Sequence, residues 1–437
     1  MKLGELKHKG IAILPVLGLI ICLGLAACTG EAPTPATAPT PPSTSPPALT
    51  PAPATEPTPA PAQEPAPVLE PEPVPPAPEP EPDPEPAPEP EPEPVSPEPA
   101  EVNIISDRTI TDFPNTIAFI IEGSSAVPVA SINLEYGTDK RSLVSEVSRV
   151  EPEYATDIKI STSYVWEMKK TGSIPPGAKV WWRWRITDED DRTYVTPRQT
   201  IVFEDTRYQW QVETAHDLDI YWYSLGASLV KELTEGVESR LARVKLEVDI
   251  PEERKPKVFV YPNSEELRSA VLFTQEWAGA MAFLDYDIIL IPVQSGNLEW
   301  AKRTLAHEIT HLLVREATFG PFGDIPTWLD EGLAQYAEGE MEEYHRQALD
   351  DAIKENTLLS VRSLGSSFPA DPDRASLAYA QSLSLVSYLV DTYGWDKMRE
   401  LIAVFKEGST YDSAIREVYD FDTDGLEERW RTHIGAS

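Results

Sequence analysis

The segment His307-Glu308-Ile309-Thr310-His311 constrains this sequence more than any other. Two histidines four positions apart project from the same face of an α-helix, about one turn apart. Apolar residues recur at helical spacing across 298–317, which predicts that the segment lies on a helix. Both imidazoles can then bind one Zn²⁺ ion, and Glu308 is placed to take a proton from the attacking water. The alternative is an exposed helix that carries two histidines by chance.

A second helix is predicted soon after the first. Asp324 can cap its start, and Pro326 falls in its first turn. Catalytic zinc usually takes three protein ligands and a water, so a third ligand is required. Glu331 is the predicted third ligand, with nineteen residues between it and His311. The alternative is a solvated acid in a first helical turn, where the helix dipole favours negative charge.

These residues resemble the gluzincin metallopeptidases, the thermolysin-like group of clan MA. The string W-L-D-E-G-L-A-Q-Y at 328–336 is more specifically similar to the bacterial peptidase MA-like family, and the resemblance runs from about residue 208 to the C-terminus. It implies an α+β zinc-peptidase domain with one Zn²⁺ and peptide or protein substrates. Thermolysin-like enzymes have an aspartate four residues past the glutamate ligand, which supports a zinc histidine. Gln335 stands there, so we predict it as the supporting residue, with Asp330 or another acid as the alternative.

The resemblance also suggests a residue that stabilises the transition state. The segment at 376–384 is similar to the Y-x-Q-S stretch of related families, and Tyr379 is the predicted hydrogen-bond donor to the oxyanion. The alternative for Tyr379 is a helix tyrosine anchored in the core, with Tyr388 or Tyr393 as the donor. His345 lies in the polar run 340–350 and is interpreted as a surface histidine.

A short strand before the first zinc helix is the predicted substrate-binding strand. Gly279, Ala280 and Met281 stand near the place where zinc aminopeptidases carry a G-A-M-E-N motif on an edge strand. Such a strand pairs with the substrate backbone. The next two residues are Ala282 and Phe283, so the glutamate that would hold a free α-amine is missing. We therefore predict internal cleavage, with a simple turn and buried strand as the alternative.

The N-terminus predicts where the protein works. Three lysines precede an apolar run at 11–27, which is typical of a signal peptide. The run ends in Leu25-Ala26-Ala27-Cys28, which resembles a bacterial lipoprotein lipobox. Cleavage before Cys28 would leave that cysteine for lipid attachment, and several acyl chains anchor a protein stably. An ordinary secretory signal or an uncleaved anchor is the alternative. The prediction is an extracytoplasmic, lipid-anchored protein of the cell envelope.

A proline-rich tract follows at 31–100. It consists mainly of Pro, Ala, Glu, Thr and Ser, contains no Lys or Arg, and ends in repeated Glu-Pro. Such a composition cannot bury a core and favours extended polyproline II, so residues 28–100 are predicted to be the lipidated cysteine and a disordered stalk.

The whole sequence has a net charge of −35, which argues against nucleic acid as a partner. The only cysteines are Cys22 and Cys28, so disulfides cannot hold the folded part together.

Two folded domains are predicted after the stalk. Residues 101–205 contain alternating or β-rich segments at 116–121, 130–136, 159–166 and 179–186, which suit an immunoglobulin-like or fibronectin III-like sandwich. Residues 206–437 are the mixed zinc-peptidase domain, with a helix predicted at 218–241 and strands at 257–261 and 287–291. Two function classes stay open: an active zinc endopeptidase, or a non-catalytic binding or adhesion lipoprotein on a peptidase scaffold.

Overall fold

The computed structural model describes residues 100–144, 146–215, 218–272 and 279–436. These residues lie in one compact unit. The predicted signal peptide, the lipidation site Cys28 and nearly all of the predicted stalk lie outside the described residues. Within the described part of the chain, no helix is both long enough and apolar enough to cross a membrane.

The N-terminal region is made of β-sheet, as the sequence predicts. Its elements are β1 (Val102–Asp112), β2 (Thr116–Ser125), β3 (Val129–Thr138), β4 (Ser148–Val150), β5 (Lys159–Glu167), the single helical turn α1 (Met168–Thr171), β6 (Lys179–Asp188), β7 (Thr193–Val195) and β8 (Gln199–Val202). One sheet has the strand order β1-β2-β5. The other has the order β4-β3-β6-β7, with β8 also paired to β6.

Alternation along β6 assigns one side of each strand to the core. Val180, Trp182, Trp184 and Ile186 are buried in a cluster that also contains inward residues of β2, β3 and β5. The two sheets therefore pack face to face. Residues at the odd positions of β6, including Arg183, point to the opposite face because successive side chains of a strand alternate.

A third sheet begins the C-terminal region. Its strands are β9 (Gln211–Thr214), β10 (Asp219–Trp222), β11 (Lys257–Tyr261), β12 (Met281–Phe283) and β13 (Ile288–Pro292), in the order β12-β13-β11-β10-β9. The pairs β10–β11 and β11–β13 are parallel, whereas β12 and β9 join the two ends antiparallel. The predicted strand at 257–261 is confirmed. The predicted helix at 218–241 is wrong in its first half, because Asp219–Trp222 is the strand β10.

Both faces of this third sheet are buried. Val258 and Ile289 pack on one face with the helices Ala227–Leu241 and Leu298–Thr318. Phe259 and Leu290 pack on the other face in the same cluster as the N-terminal sheets. A strand that is buried on both faces reads as a continuous apolar run. This explains the sequence Ile-Ile-Leu-Ile at 288–291. The N-terminal sheets and the third sheet thus share one hydrophobic core.

Eight helices complete the described part of the C-terminal region: α2 (Ala227–Leu241), α3 (Ser264–Ser269), α4 (Leu298–Thr318), α5 (Thr327–Glu338), α6 (Glu343–Glu355), α7 (Pro372–Lys406), α8 (Tyr411–Tyr419) and α9 (Thr423–His433). Gly394 interrupts α7 with a φ of 83°. Helix α5 packs against both α4 and α7. It approaches α7 closely at Gly332, where an added Cβ would lie 2.5 Å from the carbonyl oxygen of Ser382.

Candidate metal centre

Helix α4 carries three of the predicted site residues into the interior. Its residues Leu305 and Ile309 pack against the sheet, whereas Ala306 and Val314 pack into the core of the surrounding helices. The helix is therefore covered on more than one side. As a result, His307, Glu308 and His311 are each no more than 2% exposed. Polar groups buried this deeply need partners, so their contacts decide what the site can do.

Three ligand atoms converge between α4 and α5. The Nε2 atoms of His307 and His311 are 3.1 Å apart, and Oε2 of Glu331 lies 3.5 Å from the first and 3.7 Å from the second. Tetrahedral zinc with bonds of about 2.0–2.2 Å places its ligand atoms roughly 3.3–3.6 Å from one another. The spacing of the two imidazoles and the carboxylate therefore fits a tetrahedral metal ion with one position left for water or substrate.

The other ring nitrogen of each histidine faces a carboxylate. Nδ1 of His307 is 2.8 Å from Oε1 of Glu338, and Nδ1 of His311 is 3.0 Å from Oδ1 of Asp330. Both acids lie on α5, the helix that also carries Glu331. Carboxylates in this position hold the imidazole in one orientation and raise its basicity as a ligand.

The predicted supporting residue Gln335 is buried on α5, and the structure places Glu338 and Asp330 beside the two Nδ1 atoms. A supporting role for Gln335 stays a prediction. Sequence reasoning named Asp330 only as an alternative and missed Glu338. A signal for Glu338 exists, because it lies seven residues after Glu331 and thus on the same side of α5, two turns away.

The arrangement of these atoms suits a cation. Nδ1 of His307 lies beside Glu338 and Nδ1 of His311 lies beside Asp330, while the two Nε2 atoms lie near each other and near Glu331. Oε2 of Glu331 is buried and has no hydrogen-bond partner within the described residues. Three converging lone-pair donors repel one another unless a proton or a metal ion lies between them. The residues present therefore fit a metal ion.

The pKa of His311 reflects the same concentration of negative charge. Burial favours the neutral imidazole, but the charges of Asp330 and Glu331 and the hydrogen bond to Asp330 outweigh burial and raise the pKa of His311 to about 9. Burial would likewise raise the pKa of Glu338. The hydrogen bond from His307, with the positive charge of Arg303 nearby, holds the pKa of Glu338 below its ordinary value.

Glu308 has a free carboxylate oxygen in this buried region. Its side chain is almost fully buried, and Oε2 has no hydrogen-bond partner within the described part of the chain. The three converging atoms belong to His307, His311 and Glu331, so Glu308 is not one of the grouped ligands. An unpartnered carboxylate oxygen can accept a proton, which is the property that a general base requires.

Tyr379 and His345 lie together on the neighbouring helices. The ring of Tyr379, on α7, is stacked on His345 of α6 with 6.1 Å between centroids, and it meets the edge of Phe368 at 5.1 Å. The interpretation of His345 as a surface residue is wrong, since it is only 5% exposed and its Nδ1 atom has no hydrogen-bond partner among the described residues. Burial lowers the pKa of His345. The role of Tyr379 as an oxyanion donor stays a prediction.

The predicted substrate strand lies at an end of the third sheet. Met281 begins β12, whose described pairing is with β13, where Met281 is opposite Leu290. Gly279 and Ala280 directly precede this strand. Residues 273–278, just before them, lie outside the described residues. A peptide can add to a sheet as a new strand only beside a strand at the end of the sheet, and β12 is such a strand. The substrate-binding role of these residues stays a prediction.

Comparisons with known proteins identify the region that holds the site. Residues 238–436 match the family model described as the Peptidase MA superfamily, so this part of the chain is a peptidase MA-like domain. It contains the centre formed by His307, His311 and Glu331. A domain of this kind implies peptide or protein substrates, and its buried ligand group supports a metal cofactor.

Solved structures give weaker similarities. A mutant of a two-domain M1 zinc metallopeptidase bound to L-arginine is 12% identical, with a TM-score of 0.30, covering 77% of this chain and 94% of that one. A polysaccharide deacetylase from Bacillus cereus is 10% identical, with a TM-score of 0.21, covering 39% of this chain and 54% of that one. The Br derivative of BhCBM56 is 10% identical, with a TM-score of 0.17, covering 23% of this chain and 91% of that one. No curated protein matches the sequence.

Proposed function

We propose that this protein is a zinc-dependent endopeptidase that is anchored to the cell envelope outside the cytoplasm. The observation that carries the catalytic part is the convergence of His307 Nε2, His311 Nε2 and Glu331 Oε2 within 3.7 Å of one another. This set lies in a peptidase MA-like domain that also holds the unpartnered carboxylate oxygen of Glu308. Histidine and carboxylate ligands with an open fourth position are the donor set of catalytic zinc sites.

Each of the site's side chains then has a separate role. A bound zinc ion would polarise the scissile carbonyl and make a water molecule more acidic. His307, His311 and Glu331 hold the ion. Glu308 accepts a proton from the attacking water and delivers it to the leaving amine. Tyr379 donates a hydrogen bond to the developing oxyanion.

The substrate lies along an open strand in this proposal. Gly279, Ala280 and Met281 pair their backbone groups with an extended peptide beside β12. Pairing of this kind depends on the peptide backbone, so it accepts many side chains. Because Ala282 stands where an aminopeptidase glutamate would hold a free α-amine, the peptide passes through the site and is cut internally.

The decisive experiment separates metal binding from proton transfer. Glu308→Gln keeps one metal ion per chain but lowers casein cleavage by about 10²–10⁴, because the base is lost while the ligands remain. Glu331→Gln instead lowers the metal content, because it removes the charge of a ligand. Metal is measured by elemental analysis of the same preparations that are assayed for cleavage.

Other results would lead to a different function. If wild type binds zinc but cleaves neither casein nor a peptide library, the protein is a non-catalytic binding lipoprotein on a peptidase scaffold. If Glu308→Gln and Glu331→Gln lose metal equally, Glu308 is a ligand and the assignment of the base is incorrect. A His345→Gln variant is a matched control for metal content, because it alters a buried polar side chain outside the ligand group. Its cleavage rate is not compared, since His345 stacks on Tyr379.

The anchoring part of the proposal rests on the sequence before the described residues. The lipobox-like Leu25-Ala26-Ala27-Cys28 supports lipid attachment at Cys28, and the proline-rich tract supports a stalk that carries the folded part away from the membrane. The N-terminal sheet region is proposed to be an immunoglobulin-like or fibronectin III-like sandwich. Cys28→Ser is expected to abolish labelling by a radioactive fatty acid and release the protein from membranes. A variant that stays unlabelled but fully membrane-bound would contradict the lipid anchor.

A further inference from the structure

The outer face of the second N-terminal sheet carries clustered arginines in a strongly acidic chain. The whole sequence has 72 acidic and 37 basic residues. On this one face, Arg149, Arg183 and Arg185 surround the carboxylate of Glu135, and Arg198 lies near Arg183. We call these four arginines the arginine face. Its charge is opposite to that of the chain as a whole.

The strand register places these side chains in one row. Arg149 on β4 is opposite Glu135 on β3, and Glu135 is opposite Arg183 on β6. Arg185 lies two residues further along β6, so it points to the same face. The three guanidiniums bond Glu135 at 2.5 Å, 2.6 Å and 3.3 Å respectively.

Glu135 orients the arginines but does not occupy their full bonding capacity. The Glu135 side chain is 1% exposed, whereas those of Arg149, Arg183 and Arg185 are 60%, 41% and 36% exposed. Arg183 and Arg185 each use only Nε to bond Glu135. Each guanidinium has five N–H donors, so the outer Nη groups of Arg183 and Arg185 face solvent with donors to spare.

Arg198 adds a cation that stacks on an aromatic ring. Its guanidinium carbon lies 3.7 Å from the ring centroid of Trp181, on the same face of β6. No hydrogen bond or ion pair of Arg198 is present among the described residues. Burial, with the neighbouring positive charge of Arg183, lowers the pKa of Arg198. Stacking on Trp181 restrains the guanidinium while leaving its edge open to an anion.

We propose that the arginine face is a binding site for an extended, acidic polypeptide segment that carries carboxylates on alternate residues. Side chains two positions apart on a strand, like Arg183 and Arg185, emerge about 6.6–6.8 Å apart. An extended peptide repeats its side chains on one face at the same interval, so successive carboxylates meet successive guanidiniums. Planar guanidiniums bind carboxylates with two parallel hydrogen bonds, and Glu135 already holds three of them in place. This site lies outside the metal centre and does not depend on its activity.

The test measures binding of a defined peptide to the full-length protein. The probe is a fluorescent peptide of repeated Glu-Thr, and the reference probe is the same peptide with Gln in place of Glu. Both are titrated by fluorescence anisotropy on a Glu308→Gln background, so that cleavage of the probe does not disturb the measurement. Arg183→Gln combined with Arg185→Gln is expected to weaken binding of the Glu-Thr peptide by about tenfold or more, since charge-assisted hydrogen bonds are lost.

Two controls separate the arginine face from net charge and from folding. Arg416→Gln combined with Arg429→Gln removes the same charge elsewhere; Arg429 stacks on Phe421 in the way that Arg198 stacks on Trp181. This pair is expected to leave binding within about twofold of the starting value. Arg198→Gln alone should also weaken binding. This substitution leaves the ion pairs of Glu135 intact, so it still tests the arginine face if the double variant fails to fold.

Several outcomes would overturn the inference. They are equal binding of the Gln-Thr peptide, equal loss with the control pair, and unchanged binding in Arg198→Gln and the double variant. Tighter binding of inorganic polyphosphate than of the Glu-Thr peptide would assign the face to a phosphate polymer instead. Because every variant is built on Glu308→Gln, failure here leaves the proposed peptidase activity untouched, and failure of that activity leaves this binding measurable.

Discussion

Nδ1 of His307 lies 2.8 Å from Oε1 of Glu338, a residue 31 positions later in the chain. Together with the 3.0 Å contact between His311 and Asp330, it connects α4 to α5 on two sides of Glu331. Helix α5 therefore supplies one ligand-type carboxylate and two carboxylates that orient the imidazoles. The orientation of α5 against α4 thus sets the geometry of the whole centre.

Glu338→Gln tests the orienting contact. The amide keeps the shape but loses the charge, so zinc affinity is expected to fall about 10–100-fold while the protein stays folded. The measurement is a competition titration with a chromophoric chelator. Glu342→Gln is the matched control, because Glu342 also pairs with Arg303, at 3.4 Å, and is not one of the grouped ligands. Equal loss in the two variants would contradict a specific role for Glu338.

Metal affinity is expected to rise with pH. Without metal, the raised pKa of about 9 means that His311 stays protonated at neutral pH, and zinc must displace that proton. Affinity should therefore increase about tenfold per pH unit between pH 7 and pH 8, with release of one proton. Isothermal titration in buffers of different ionisation enthalpy measures both quantities. Asp330→Asn should flatten the dependence, since Asp330 contributes most to raising this pKa.

The same pKa makes an opposite prediction for the stability of the metal-free protein. Because the pKa of His311 is higher in the folded protein than its ordinary value of 6.5, protonated His311 stabilises the fold. This contribution is complete below about pH 6.5. That contribution is lost as the pH rises from about 6.5 to 9. Denaturant unfolding of chelator-treated wild type and Asp330→Asn across this range checks it. A wild-type stability that rises over the window relative to the variant would refute the assignment.

Tyr379→Phe tests the proposed oxyanion donor. It removes one hydroxyl and leaves the ring stacked on His345 and Phe368. If Tyr379 acts on the reacting carbonyl, kcat falls about 10²–10³-fold, with KM and metal content nearly unchanged. A structural tyrosine would instead lower the melting temperature and leave the activity per folded molecule intact. Tyr388→Phe is the comparison, because Tyr388 is the alternative donor on the same helix.

Gly332→Ala tests the close packing of α5 on α7. The added methyl would lie 2.5 Å from the carbonyl oxygen of Ser382 and 2.6 Å from Cγ2 of Val386, so one helix must move. We expect a loss of about 1–3 kcal/mol in the free energy of unfolding, with weaker metal binding because Glu331 moves with α5. Gly296→Ala, where an added Cβ meets nothing within 4 Å, should change stability little. Equal effects of the two substitutions would contradict the packing argument.

The sequence by itself determined the parts of the site that depend on local geometry. Helical periodicity placed His307 and His311 one turn apart on one face, and α4 spans Leu298–Thr318, within a residue of the prediction. Ligand chemistry and spacing then selected Glu331, which lies on the predicted second helix. The β character of the N-terminal region was also readable, because strand alternation is a property of consecutive residues.

Only the tertiary structure decided the contacts between elements. Asp330 is adjacent to Glu331 and so points about 100° away around α5, and only the packing of α5 on α4 brings both acids to the histidines. His345 looked exposed because its segment is polar, yet the rings of Tyr344 and Tyr379 cover it. The sequence likewise did not predict that the N-terminal sheets and the third sheet share one hydrophobic core. Local periodicity defines which face of an element is apolar, whereas the partner that covers this face depends on how distant segments pack.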